Sequence, residues 1–351
     1  MSRAALGRRR GRGHRAGDIL ADPFLERRPQ LAARRFELLG ARVHFDSNSV
    51  RLLELVDAAY AGLPRLRPAG APAAPLRISL RLLAAAGSHS SGEPARLLLG
   101  SAGSILAGAA ARSNLVVVCP RERSALVLVS PEMLRHRYHT RYELIEFAVF
   151  SLAARCHDLV PLHAACIGQG GRCILLMGPS GAGKSTLSLL WAQQGLDFVA
   201  EDSVFVAPDR MTAMGIGTFL HVRAETLRFI TPAGDTAQLR RSPLIRRRSG
   251  VQKLEIDLRG TGWRLARAPL AVAATVFLSP RPARAGALLE PLRRSDLLER
   301  LEHEQPYAAG RPEWPRFRRK LTSIAAFELR RGKHPLETVE ALRRLLEAAS
   351  R

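Results

Sequence analysis

Gly178-Pro179-Ser180-Gly181-Ala182-Gly183-Lys184-Ser185-Thr186 decides how this chain is read. An apolar run, Arg172 to Met177, precedes it as a strand, and an amphipathic segment from Ser185 to Gln194 follows as a helix. The spacing Gly-x4-Gly-Lys-Ser is the Walker A pattern, which needs that strand-turn-helix context. Glycines let successive backbone N–H groups approach phosphate oxygens where a side chain would obstruct them. The helix that starts there adds the positive end of its dipole. Lys184 supplies a point charge to the β- and γ-phosphates, and the Ser185 hydroxyl is placed to ligate Mg²⁺. The expectation is a nucleoside triphosphate cradle over Gly178–Thr186, with ATP and Mg²⁺ as its occupants.

Working outward, Gly195 caps the helix and Asp197–Ala200 reads as the next strand, ending at Glu201-Asp202. At the carboxyl edge of a parallel sheet such a pair faces the phosphate crevice. One carboxylate would hold Mg²⁺ and the other accept a proton from an attacking hydroxyl. Neighbours on a regular strand point to opposite faces, so both serve only if the strand ends there. Guanine-specific switches carry Asn-Lys-x-Asp and ABC-type transport ATPases Leu-Ser-Gly-Gly-Gln; neither occurs. Upstream, Leu159–Ile167 reads as one strand closed by the turn Gly168–Gly171. Downstream, strands are expected at Gln252–Leu258, Val272–Leu278 and Ala325–Leu329, and a helix at Pro335–Ala349. Arg223 and the run Arg246 to Arg248 with Lys253 read as a solvated basic loop, with covering of the transferred phosphate as the alternative.

The earlier third carries no chemical motif. Residues 1–30 are expected as a flexible basic arm, rich in Arg and Gly and without apolar periodicity. Residues 31–140 read as a small α+β module. Its expected parts are a strand over Phe36–Phe45, a helix over Ser49–Tyr60 with Val50, Leu53, Val56 and Ala59 inward, and strands at Pro75–Leu83, Leu115–Val118 and Ala125–Val129. A helix from Tyr142 to Arg155, with Leu144, Phe147, Ala148 and Ser151 inward, opens the nucleotide-binding domain of residues 141–351. No repeat of fixed period is present.

At 351 residues, 46% hydrophobic and 24% charged, the chain suits two compact globular units. A formal charge of +23 raises nucleic-acid binding. Only Lys184, Lys253, Lys320 and Lys333 are lysines, however, and Arg dominates a chain equally heavy in Ala, Leu and Gly. Compositional bias explains that better than a nucleic-acid surface, though the Arg runs would also suit an acidic peptide or protein. Cys119, Cys156, Cys166 and Cys173 follow no zinc spacing and read as reduced cytosolic thiols. No apolar run is long enough to cross a bilayer, and the N-terminus lacks the apolar core of a secretory signal, so a cytoplasmic protein is expected.

Leu162-His163-Ala164-Ala165, the phosphate loop through Thr186, and Gln194-Gly-Leu-Asp-Phe-Val-Ala-Glu-Asp-Ser-Val204 resemble the catalytic core of HPr serine kinases and HPr-kinase-related proteins. The resemblance is specific over residues 159 to 207 and looser towards the C-terminus. It implies an α/β nucleotide domain like that of phosphoenolpyruvate carboxykinase, with γ-phosphate passed from MgATP to a seryl hydroxyl of a peptide or small carrier protein, and it hints at a homo-oligomer. Carried onto this chain, it implies Lys184 on phosphate, Ser185 and Asp202 on the metal, Glu201 as the catalytic base where the family has Asp, and His163 close to that base. The family's Glu-x-Arg-Gly-x-Gly segment is not reproduced in Gly217–Leu227, which departs from the phosphorylase pattern. Other readings stay open at this level: a weakly hydrolysing ATP-binding scaffold of a biosynthetic complex, a small-molecule kinase, and a basic nucleic-acid binder.

Overall fold

The structure is a computed structural model that describes residues 31–66, 74–84, 93–111, 113–230, 236–283 and 287–349. The arm expected over residues 1–30 lies outside them. The described residues form a mixed α/β structure of three sheets with helices.

Alternating side chains build the first sheet. Strands β1 (Ala32–Leu38) and β2 (Ala41–Ser47) form a hairpin, then helix α1 (Val50–Tyr60) crosses over to β3 (Leu76–Leu82), parallel to β2. A meander of β4 (Leu98–Ala102), β5 (Ile105–Ala110), β6 (Asn114–Cys119) and β7 (Ser124–Val129) completes seven strands in the order β1-β2-β3-β7-β6-β5-β4. The single strand expected over Phe36–Phe45 is therefore two. Leu39 and Gly40 both take positive φ (48° and 78°), the two-residue turn whose twist matches a hairpin, and Leu38 pairs with Ala41. Helix α1 buries Leu52, Leu53, Leu55, Val56, Ala59 and Tyr60, while Val50 is exposed.

After β7 the chain enters a π-helical turn, Thr140–Glu146, that continues as helix α2 (Phe147–Cys156). The helix expected from Tyr142 thus begins with a wider turn, and its buried set is Leu144, Ile145, Ala148, Val149, Leu152 and Ala153. Phe147 and Ser151 are only partly covered. This segment shares one apolar core with α1 and the seven-stranded sheet.

The second sheet carries β8 (Val160–Leu162), β9 (Ala165–Gln169) and β10 (Arg172–Met177), then helix α3 (Lys184–Gln193). Next come β11 (Asp197–Ala200), β12 (Val204–Ala207) and β13 (Thr212–Gly215). β14 (Phe219–Val222), β15 (Leu244–Arg246) and β16 (Gln252–Asp257) form a separate three-stranded sheet. The second sheet resumes with β17 (Leu270–Pro282) and β18 (Leu289–Pro291), followed by helices α4 (Arg294–Glu304) and α5 (Trp314–Leu321), strand β19 (Ala325–Arg331) and helix α6 (Pro335–Ala348).

Its order is β11-β9-β10-β17-β13-β12-β8, with β19 beside β17 and β18 beside β19. β10, β17 and β19 are parallel, whereas β9 runs antiparallel to both β10 and β11. β10 and β11 therefore point the same way with β9 between them, and their carboxyl ends share one edge. One face packs α3 and α6 through Leu187, Leu190, Trp191, Val339 and Leu342. The other packs α4 and α5 through Leu297, Leu301, Trp314 and Phe317. Each such side chain contributes about 1.5–3 kcal/mol on burial. Trp191 also donates its indole N–H to the Gly168 carbonyl at 3.1 Å, pinning α3 over β9. Gly195 ends α3 at φ 72°, the left-handed cap that its position predicts.

Candidate active site

The loop between β10 and α3 folds as the glycine spacing demands. Gly178 takes φ 140°, and a Cβ there would stand 3.2 Å from the Leu278 carbonyl oxygen of β17. Gly183 precedes the helix at φ 108°, with no side chain capping the first turn, so the N–H groups of that turn are left to face a ligand. Lys184 is buried and lies back across the loop, donating to the carbonyls of Gly178 (2.5 Å) and Pro179 (3.2 Å). Burial lowers its pKa, and the nearby Asp202 and Glu201 only partly oppose that. Loop residues Ser180, Gly181, Gly183, Lys184, Ser185 and Thr186 line one wall of a cavity of about 420 Å³.

β11 stops at Ala200, so Glu201 and Asp202 turn to different neighbours on the same edge. Glu201 points inward: its carboxylate accepts from the Ser185 hydroxyl, lies 3.5 Å from His221 Nδ1 and 3.7 Å from Lys253 Nζ, and is buried. Burial raises its pKa, but His221 above all, with Lys253, brings it below the ordinary carboxylate value. Asp202 turns to the cavity. It accepts from the Tyr142 hydroxyl at 3.0 Å and from Arg247 Nη2 at 3.1 Å, and His163 Nδ1 lies 3.0 Å from its Oδ1. Here too burial opposes ionisation, and the His163 hydrogen bond with the Arg247 charge overcomes it, holding the pKa well below the carboxylate range.

His163 does not sit in a strand. The stretch expected as one strand from Leu159 to Ile167 breaks at His163-Ala164 into β8 and β9, which go to distant places in the sheet. Gln305, buried after α4, occupies the break: its Oε1 accepts from the His163 N–H at 2.8 Å and its Nε2 donates to the His163 carbonyl at 3.1 Å. Both backbone groups are thereby satisfied, and the imidazole, half exposed, is free to face Asp202.

The expected partnerships come out exchanged. Ser185 meets Glu201, where Asp202 was expected on the metal side. His163 meets Asp202, where Glu201 was expected beside the histidine. The reason is geometric: the first residue past the strand still follows its inward direction, and the second swings out.

Further residues join that no motif announced. Arg141 donates to Glu146 Oε1 at 2.9 Å and forks onto Glu255 of β16, and Glu255 Oε1 lies 3.0 Å from His221 Nε2. All four are buried. Residues i and i+5 stand about 140° apart on an α-helix, so it is the π turn that sets Arg141 and Glu146 on one face. Burial alone would raise the Glu255 pKa, but His221 and Arg141 bring it down to about 2. Burial lowers the His221 pKa, and Glu201 and Glu255 reverse that to a raised one; the ring, set between the two carboxylates, ties Glu201 to the cluster. In the sequence only Arg141 and Glu146, charged residues leading into the apolar run of α2, gave any signal; His221 and Glu255 gave none. The basic loop also differs from its solvated reading: Arg247 is largely buried against Asp202 and over the Tyr142 ring, and Arg248 is forked on Glu143 at 2.7 and 2.6 Å. Arg223, Arg247, Arg248 and Lys253 all line the cavity.

Among the described residues no group of three His, Cys, Asp or Glu side chains is gathered to hold a metal ion. Mg²⁺ takes one or two carboxylates and fills its shell with water and phosphate oxygens. Ser185 with Glu201 or Asp202 supplies hard oxygen donors of that kind. Among the described residues no helix is long and apolar enough to cross a membrane.

The chain matches no protein-family model and no curated protein. Among solved structures it is similar to the HPr(Ser) kinase/phosphatase from Coxiella burnetii, with 15% sequence identity, 54% of this chain and 97% of that chain covered, and a TM-score of 0.27. A likeness of that size carries no argument about chemistry, which rests on the side chains themselves.

Proposed function

We propose that this protein is a kinase that passes the γ-phosphate of ATP to a hydroxyl, the seryl group of a peptide or small carrier protein, on a core like that of HPr serine kinases. The observation that carries the reading is the carboxylate of Asp202, kept ionised in a cavity that the glycine loop and Lys184 also line. Loop amides and Lys184 grip the β- and γ-phosphates. Glu201 and Ser185 are the residues that would hold Mg²⁺, which when bound neutralises charge on the β- and γ-oxygens. Asp202, oriented by Tyr142, Arg247 and His163, receives the acceptor's hydroxyl proton as the new O–P bond forms. The bond from the γ-phosphorus to the bridging oxygen breaks, and ADP leaves with that electron pair. Because phosphoryl transfer runs through a loose transition state, proton removal comes late and a weak base suffices.

The roles of Glu201 and Asp202 are thus the reverse of those the resemblance implied. The test is transfer from labelled ATP to candidate peptides together with MgATP calorimetry. Asp202→Asn is expected to slow transfer by roughly 10²–10⁴-fold with MgATP affinity little changed. Glu201→Gln is expected to weaken the magnesium dependence of binding first. Undiminished transfer in Asp202→Asn refutes the base assignment, and absence of nucleotide uptake by the folded wild-type protein refutes the kinase.

A further inference from the structure

The glycine loop stands between two cavities, and only one is accounted for above. The second, of about 410 Å³, opens on the other side of the loop, between the end of β17, the start of α6 and the short helical turn Ala224–Phe229. Lys184 and Ser185 line the first cavity alone, Ala182 and Leu187 the second alone, and Gly181, Gly183 and Thr186 both. The two differ in chemistry. The first is ringed by Glu201, Asp202 and four cationic side chains beyond Lys184, and its Tyr142 has Tyr138 stacked on it at 5.5 Å besides Arg247 at 5.1 Å. The second offers Phe229, whose ring has His334 perpendicular to it at 5.4 Å and the exposed Arg228 over it at 4.6 Å, together with Leu278, Pro280 and Pro335. Its volume lies in the range of small-ligand sites.

Resting on the kinase reading above, we infer that the second cavity holds the nucleoside end of the bound triphosphate, with the base packed on Phe229 between Arg228 and His334. A triphosphate whose β- and γ-groups meet Lys184 and Ser185 extends its α-phosphate along the loop, and Thr186, with Gly181 and Gly183, lines both cavities. An aromatic ring flanked by a guanidinium is a platform for a flat heterocycle. The first cavity is thereby left whole for the γ-phosphate and the acceptor.

The experiment is calorimetry on the full chain with two probes, MgATP and magnesium tripolyphosphate, on wild type, Phe229→Ala and Pro280→Trp. Pro280 is exposed, so the tryptophan fills the cavity mouth without entering the core. MgATP is expected to bind wild type tighter than tripolyphosphate, and both variants to lose roughly tenfold or more in MgATP affinity while keeping tripolyphosphate affinity. Retained tripolyphosphate binding certifies the fold of each variant, and Pro280→Trp decides the matter if Phe229→Ala unfolds. Equal binding of the two probes to wild type, or MgATP affinity unmoved in a variant that still binds tripolyphosphate, overturns the inference and leaves the kinase reading standing. No binding of either probe to wild type removes both.

Discussion

Replacing Arg141 by Met tests whether the buried ionic cluster behind Glu201 is as tightly coupled as its distances imply. Arg141 is the cation between Glu146 and Glu255, and the methionine removes that charge while keeping much of the volume. In the folded protein Glu255 titrates near 2, against about 4.3 for an unfolded glutamate. At about 1.4 kcal/mol per tenfold in proton affinity, that difference is worth about 3 kcal/mol. Arg141 and His221 share it, and loss of Arg141 also leaves Glu146 without its cation. The expected cost at neutral pH is therefore about 3 kcal/mol, at the lower edge of what breaking a buried pair usually costs. At roughly 2 °C per kcal/mol for a large chain, calorimetry should show the melting temperature fall by about 6 °C. The sign with pH follows from the depressed pKa. Stabilisation by Glu255 is complete above about pH 4.3 and is lost as pH falls through about 2, so the deficit of Arg141→Met is full at pH 7 and shrinks at pH 3.5. Adding Glu255→Gln to Arg141→Met is expected to recover part of the loss at pH 7. A deficit that is the same at both pH values, or a fall of less than about 2 °C at pH 7, would refute the coupling.

Gln305→Leu leaves the His163 N–H and carbonyl without their partners at 2.8 and 3.1 Å. It should cost about 1–3 kcal/mol in stability and lower phosphate transfer with MgATP affinity intact; unchanged transfer in the folded variant would remove Gln305 from the support of His163. Gly178→Ala places a Cβ 3.2 Å from the Leu278 carbonyl at φ 140°, so it should cost about 1–3 kcal/mol and weaken tripolyphosphate and MgATP alike by calorimetry. Wild-type affinity in that variant would mean that the loop does not need its present path.

Local signals carried much of this structure. Gly195 ends α3 and Met177 ends β10 where period and glycine placement put them, because a helix cap and a buried strand are decided by neighbouring residues. The hairpin at Leu39-Gly40 was hidden because a leucine occupies the first left-handed position, where Asn or Gly would have announced a turn. The break at His163 was equally silent, since Leu162 and Ala165 are apolar on both sides and the satisfying group, Gln305, lies far along the chain. The strand before Glu201 and Asp202 ends at Ala200 as its pattern predicts; which carboxylate meets Ser185 and which meets His163 depends on His221, Tyr142 and Arg247, partners from distant elements that no local signal announces. Arg141, Glu255 and His221 come from three separate elements, and no linear spacing relates them.

That last point bears on how the cavity is held. Tyr142 and Glu143 belong to the π turn whose continuation, α2, is packed in the core of the seven-stranded sheet, whereas Asp202, Lys184 and Ser185 hang from the carboxyl edge of the second sheet. The Tyr142 hydroxyl on Asp202 and the Glu143 fork on Arg248 cross that seam. Asp202 is therefore held from both sides: Tyr142 reaches it from the seven-stranded layer and His163 from the second sheet, with Arg247 as a third partner. On the proposed kinase reading, Tyr142 is the contribution of the seven-stranded layer to aiming Asp202 at an incoming hydroxyl, beside Arg247 and His163.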